Sequence, residues 1–142
     1  MTGNRKILLS ISDLSVTYSR RGETVSAVKS VSFDISEGEV VALVGESGSG
    51  KTTIARAVMA MLAPGARIGG GSIRYEGEEL VGLGSRSYDR IRGRRIGWIP
   101  QDPMVALNPL HRIGRQVGEP LRIHRLAQNA AEVEERAVAL LR

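Results

Sequence analysis

Val40-Val41-Ala42-Leu43-Val44-Gly45-Glu46-Ser47-Gly48-Ser49-Gly50-Lys51-Thr52-Thr53 is the stretch that decides the fold of this 142-residue chain. Its first five residues are apolar without alternation, which predicts a strand covered on both faces, as in a parallel sheet. Behind the glycines, Ile54, Val58, Met61 and Leu62 recur at helical spacing until Pro64-Gly65 stops the run. The local order is therefore strand, glycine loop, helix. From Gly45 to Thr52 the spacing is glycine, four residues, glycine, lysine, threonine, which average composition produces in about one chain in two hundred of this length. A turn that merely joined strand to helix would give no reason for Lys51 followed by Thr52.

Each residue type in that loop has a physical use. Gly48 and Gly50 can take torsions closed to other residues, so successive amides can turn inward on an anion. The helix that follows adds its unpaired first-turn amides and the positive end of its dipole. Lys51 is placed to put an ammonium on outer phosphates, and Thr52 to offer a hydroxyl to magnesium. The pattern thus implies a phosphate-binding loop for a nucleoside triphosphate, ATP with magnesium.

Outward from the loop, Leu14, Val16 and Tyr18 alternate with polar residues, as do Val31, Phe33 and Ile35. Two antiparallel strands are expected, joined by the polar Ser19–Glu23 connection and followed by a turn at Glu37-Gly38-Glu39. Gly69-Gly70-Gly71 is expected to break the chain before a half-exposed strand at Ile73 and Tyr75. Ile96 to Ile99 reads as a short strand stopped by Pro100, and 101–120 as mostly loop with short helical turns. Ala130, Val133, Ala137, Leu140 and Leu141 mark one apolar helical face, and Asn129 with Glu132 resembles a capping box.

Composition narrows the chemistry. Apolar residues make up 42% and charged residues 25%, ordinary for a soluble globular protein. The absence of cysteine excludes disulfides, thiolate metal sites and a cysteine nucleophile. His111 and His124 are too far apart in sequence for a helical metal pair. Met1 to Lys6 is polar and only a short apolar run follows, so neither a signal peptide nor a membrane span is expected, which suits the cytoplasm. The net charge of +5 gathers in Arg86–Arg95 and Arg112–Arg125, but few aromatics are interleaved for base stacking, so no nucleic acid is expected. The pairs Glu78-Glu79 and Glu134-Glu135 follow no apolar strand and read as solvated charge.

Tyr18, the segment Ala27-Val28-Lys29-Ser30-Val31-Ser32-Phe33, the loop GESGSGKTT from Gly45 to Thr53, and Ile99-Pro100-Gln101-Asp102-Pro103 together resemble the N-terminal half of an ABC transporter nucleotide-binding subunit. PMVALNP from Pro103 to Pro109 and Gly118-Glu119-Pro120-Leu121 narrow the resemblance to dipeptide and oligopeptide importers. It implies an α/β fold: a P-loop NTPase core of ABC type with an N-terminal antiparallel β subdomain, incomplete at the C-terminus. Residues 1–100 would be the β subdomain and P-loop core, and 101–142 the glutamine loop and the start of a helical subdomain.

By the same resemblance Tyr18 stacks on adenine, a contact that needs no sequence-specific readout. Gly45, Glu46, Ser47, Gly48, Ser49, Gly50, Lys51, Thr52 and Thr53 complete the ATP-binding set. Gln101 joins Thr52 at the magnesium ion and Lys51 in the catalytic group; its neutral amide can both accept and donate. The loop after Gln101 would touch a membrane permease, and a second ATP-binding subunit would complete the assembly on the cytoplasmic face of the membrane.

The family also has a serine-glycine-glycine-glutamine signature, an apolar strand ending in aspartate and glutamate, and a switch histidine. None is in this sequence, so turnover by this polypeptide alone is not expected. The leading expectation is the N-terminal portion of an importer's ATP-binding subunit. A non-catalytic nucleotide-binding or interaction module stands beside it, and an ABC-type ATPase acting on DNA is a third.

Overall fold

The computed structural model describes residues 5–20, 22–102 and 106–142. Residues through Tyr88 form one compact unit and those from Asp89 a second. Met1 to Asn4, Arg21, and Pro103, Met104 and Val105 of the importer-like stretch lie outside the described residues.

The first unit is built on an antiparallel hairpin. β1 (Ile7–Arg20) pairs with β2 (Glu23–Ser36), and the pairing closes at Arg20 with Glu23. Leu14 and Val16 are fully buried, as the alternation predicts. β3 (Ala66–Tyr75) pairs with the other side of β1, and the short β4 (Glu78–Glu79) pairs with β3, giving the order β2-β1-β3-β4. One apolar face of this sheet and one stripe of α1 (Lys51–Val58) make the core: Ile11, Leu14, Val16, Val28 and Ile73 beside Ile54, Ala57 and Val58. The four-residue α2 (Ser85–Tyr88) adds Tyr88 to the buried set.

The register shifts by one between Ile11 and Leu14 against β2, and between Ser12 and Ser15 against β3. Asp13 is the extra residue, held at a φ of 50°. Its amide donates to Ser32 Oγ at 2.8 Å and its Oδ1 accepts from Ser30 Oγ at 3.0 Å. This bulge corrects the expected break at Gly69-Gly70-Gly71, because β3 runs straight through all three glycines. Gly71 sits at a φ of 89°, where an added Cβ would lie 2.5 Å from the Asp13 carbonyl. The glycines let a strand pass a bulge at close range; they do not interrupt it.

Three other expectations change. Residues 40–44 form no strand: Val40 is 96% and Val44 93% exposed, and no described residue pairs with them in a sheet. A parallel strand takes its ladder bonds from neighbours on both sides, and among the described residues this apolar run has none. Ile96 to Ile99 likewise has only an isolated bridge, Ile96 to Arg92. Helix α1 ends at Met59, before Met61 and Leu62, as Ala60 turns to a φ of 47°.

Glu79 is not simple solvated charge. Its carboxylate accepts from Ser72 Oγ, from the amides of Ile73 and Val81 at 3.0 Å each, and from Arg74 Nε at 3.5 Å. Desolvation pushes its pKa up, but the bonds from Ser72, Val81, Ile73 and Arg74 outweigh this and hold it below the usual 4.5.

In the second unit, α3 (Ile113–Val117), α4 (Glu119–Ile123) and α5 (Ala130–Leu140) gather around Leu121, Val133 and Ala137. Asn129 caps α5 by accepting from the Glu132 amide at 3.0 Å, while Glu132 accepts from the Gln128 amide at 2.7 Å. The reciprocal bond falls one residue earlier than in an ordinary capping box. Of the expected apolar face, Val133 and Ala137 are buried, whereas Leu140 remains 71% exposed. No helix among the described residues is long and apolar enough to cross a membrane.

Candidate functional site

The glycine loop lies between the 40–44 segment and α1, and its shape follows from two left-handed glycines. Gly48 has a φ of 81° in the tip of the loop, where the Ser49 amide donates to the Glu46 carbonyl at 3.2 Å. Gly50 caps α1 at a φ of 93° and a ψ of 2°, with no side chain closing the helix end. An added Cβ at Gly50 would lie 2.5 Å from the Ala27 carbonyl and 3.1 Å from Val28 Cγ2. Gly50 is therefore required twice, by its torsion and by the close approach of the loop to β2.

The first intrahelical bond of α1 runs from the Ile54 amide to the Gly50 carbonyl at 2.9 Å. Helix geometry leaves the amides ahead of it, from Lys51 to Thr53, without helical acceptors. The first turn carries no acidic residue, so nothing in α1 competes with an incoming anion for that positive end.

Lys51 folds back over the loop. Its Nζ donates to the carbonyls of Gly45 at 2.8 Å and Glu46 at 2.6 Å, and to Ser49 Oγ at 3.2 Å. An ammonium has three protons and no acceptor, so these three bonds satisfy it in full. The side chains of Glu46, Ser47, Ser49 and Thr52 are exposed around it.

The hydroxyls of Tyr18 and Thr53 meet at 3.5 Å, half-buried between β1 and α1. Two residues set 35 positions apart are thereby brought together beside the loop. Gln101 is exposed and belongs to the unit from Asp89. Among the described residues no group of three His, Asp or Glu side chains is placed to hold a metal. The donor set fits magnesium only in the form its chemistry favours beside phosphates, with one hydroxyl from Thr52 and the remaining ligands from phosphate and water.

Two features escape a reading of the sequence. The need for glycine at position 50 comes partly from Ala27 and Val28, which no local pattern links to the loop. Gln116 makes three hydrogen bonds to the backbone of residues 108–111; a lone glutamine on a short helix carries no signal of that.

A family model described as ABC transporter matches residues 28–141. The oligopeptide transport ATP-binding protein OppD of Mycobacterium tuberculosis is 43% identical over 134 residues, covering 94% of this chain and 22% of the relative. The peptidoglycan transport ATP-binding protein YejF of Agrobacterium fabrum is 46% identical over 139 residues, covering 97% and 25%. The oligopeptide transport ATP-binding protein AmiE of Streptococcus pneumoniae is 40% identical, covering 97% and 39%. Among solved structures, the ATP-binding cassette MJ0796, dimeric in a post-hydrolysis state with ADP and Pi, superposes with a TM-score of 0.81 at 27% identity. That match covers 94% of this chain and 56% of the cassette. The chain thus spans between 22% and 39% of the length of these curated relatives.

Proposed function

This chain belongs to the ABC transporter family, and on that premise we propose that it is the N-terminal portion of an importer's ATP-binding subunit, coupling ATP to uptake of peptides or similar small solutes. The observation that carries the reading is the loop from Gly45 to Thr52, with its left-handed glycines, open helix end and lysine. The relatives named as oligopeptide transport ATP-binding proteins support the transported class.

Gly45, Glu46, Ser47, Gly48 and Gly50 present backbone amides to the phosphates, and Ser49 joins them by giving up its amide's 3.2 Å bond to the Glu46 carbonyl. Lys51 exchanges its loop carbonyls for the outer phosphates, a trade favoured because a charged acceptor makes the stronger hydrogen bond. Thr52 supplies the hydroxyl for magnesium, the ion that would neutralise phosphate charge, and Gln101 completes the water and metal environment. Tyr18 stacks on adenine, with Thr53 beside its hydroxyl. In this reading 1–100 are the β subdomain and P-loop core, and 101–142 carry the glutamine loop and the start of the helical subdomain. A permease and a second ATP-binding subunit are the partners, at the cytoplasmic face of the membrane.

Titration with MgATP, followed through Trp98, the single tryptophan, tests the reading. Lys51→Ala should weaken affinity about ten- to a hundredfold, the loss of one charged hydrogen bond of ~1.5–3 kcal/mol. An affinity unmoved by that change would sink the assignment. Phosphate release by this chain should stay at background, since it lacks the family's water-activating glutamate; robust release would contradict the division of labour.

A further inference from the structure

We infer that the surface of the second unit built from α3, α4 and their arginines binds an anionic lipid surface directly, the guanidinium groups on lipid phosphates and the exposed isoleucines among the headgroups. Lipid contact of this kind would act alongside the proposed permease, not through it.

Residues 112–125 hold four arginines, Arg112, Arg115, Arg122 and Arg125, against one acid, Glu119. Helices α3 and α4 lay much of that charge along a trough. His111, Arg115, Arg122 and Ile123 line one end, His124 and Arg92 the other, and Gln116, Glu119 and Ile123 are common to both. At the far end Arg92 is paired with Asp89 at 3.8 Å. At the near end the charge is not neutralised within the protein. Among the described residues Arg112, Arg115, Arg122 and Arg125 form no ion pair, although Glu119 lies within one helical turn of both Arg115 and Arg122. Arg122 gives one Nη1 proton to the Arg115 carbonyl at 3.3 Å, which steadies its guanidinium and leaves its other donors open.

The trough is set before a ligand arrives. Gly118, at the junction of α3 and α4, is buried, and an added Cβ there would lie 2.6 Å from Val133 Cγ1 on α5. Both helices are thus seated on the core of their unit. The Gln116 amide is taken up by the backbone of Asn108 and His111, so it does not compete for an anion. A preformed surface spares the ordering entropy that a flexible one loses on binding.

The side chains around the arginines decide which polyanion fits. Residues 99–142 contain no Phe, Tyr or Trp, so nothing there can stack on a nucleic-acid base. Instead Ile123 is 64% and Ile113 52% exposed. Branched aliphatic side chains among cations suit a lipid interface, where they dip below phosphates that guanidinium groups hold.

The test mixes the full-length subunit, purified without permease, with phosphatidylcholine vesicles that contain or lack phosphatidylglycerol, and reads the partition coefficient by sedimentation. Binding should require phosphatidylglycerol and weaken as salt rises. Arg115→Gln with Arg122→Gln should weaken it about twenty- to thirtyfold, about fivefold for each charge. Ile123→Ser should weaken it by at least about threefold. Lys29→Gln with Arg67→Gln removes the same charge from the strands of the first unit and should change it by less than about twofold. Urea unfolding and MgATP affinity should match the wild type in every variant.

Equal partition onto phosphatidylcholine alone, or equal losses from the two double variants, overturns the proposal. Loss of MgATP affinity together with vesicle binding in the Arg115→Gln, Arg122→Gln variant overturns it too, because the arginines would then serve the fold at large. Tighter binding to duplex DNA than to phosphatidylglycerol vesicles at the same salt overturns it in favour of a nucleic acid. Failure on vesicles leaves the ATP reading untouched, since Lys51 is present throughout.

Discussion

The loops at 45–50 and 108–111 are tied by the same device with opposite chemistry. Each is bound back by one side chain from the helix that follows it, Lys51 at the start of α1 and Gln116 near the end of α3. Lys51 can only donate, and it carries a charge, so its bonds to neutral carbonyls are weaker than those a phosphate would offer. Gln116 both donates and accepts, and a peptide backbone that presents an N–H beside two carbonyls satisfies it fully. On the proposed reading the first tie is exchanged for phosphate, whereas the second has no stronger acceptor to leave for. Glu79 supplies the third case, a carboxylate that only accepts, and it is the only one of these three ties that acid can cut.

The largest way to break this comparison lies at the hinge of the first loop. Gly50→Ala combines a left-handed torsion, worth about 1–2 kcal/mol, with a clash against the Ala27 backbone that costs a further ~1–3 kcal/mol. Urea unfolding should show a loss of about 3 kcal/mol, and MgATP binding should vanish with it. The matching change beneath the second loop, Gly118→Ala, meets the buried Val133 at 2.6 Å and the Gly114 carbonyl at 3.1 Å, but at a φ of -79° it carries no left-handed strain and gains helix propensity. Its net cost should be about 1 kcal/mol in the same assay, and ATP affinity should hold. A Gly118→Ala loss equal to that of Gly50→Ala would show that the two loops are anchored alike.

The smallest effect is at Glu79. Because its folded pKa lies below 4.5, its contribution to stability is complete above the unfolded value and is lost as pH falls through the folded one. The urea unfolding free energy of the wild type should fall between pH 5 and pH 3 more than that of Glu79→Gln, by a margin of less than about 1 kcal/mol for a partly exposed group. Identical acid limbs would return Glu79 to plain surface charge.

What the sequence makes legible follows the range of the forces involved. The β1–β2 hairpin, the helix at Lys51 and the α5 cap are specified by neighbours a few positions away, and all are present. Residues 40–44 are an apolar run whose state depends on strands elsewhere, so their pattern predicts a strand while the described residues leave them unpaired. The bulge at Asp13 shifts the buried positions from Ile11 to Leu14 rather than to Asp13, a break in period that only β2 and β3 explain. Within the loop the sequence points to Lys51, but not to its hold on Gly45 and Glu46. Gln116 and Glu79 were silent because amide and carboxylate partners are set by tertiary placement.

The Asp13 bulge has one more effect, on what the sheet refuses. Among the described residues β2 is an outer strand of fourteen residues, long enough to template a further strand from another molecule. Its pairing with β1 slips at four places, and Ser30 opposite the bulge is itself held at a φ of 48°. A strand bent in that way sets the backbone of its outer margin out of line. The kink that seats Gly71 on one side of β1 thereby guards the open margin of the sheet on the other.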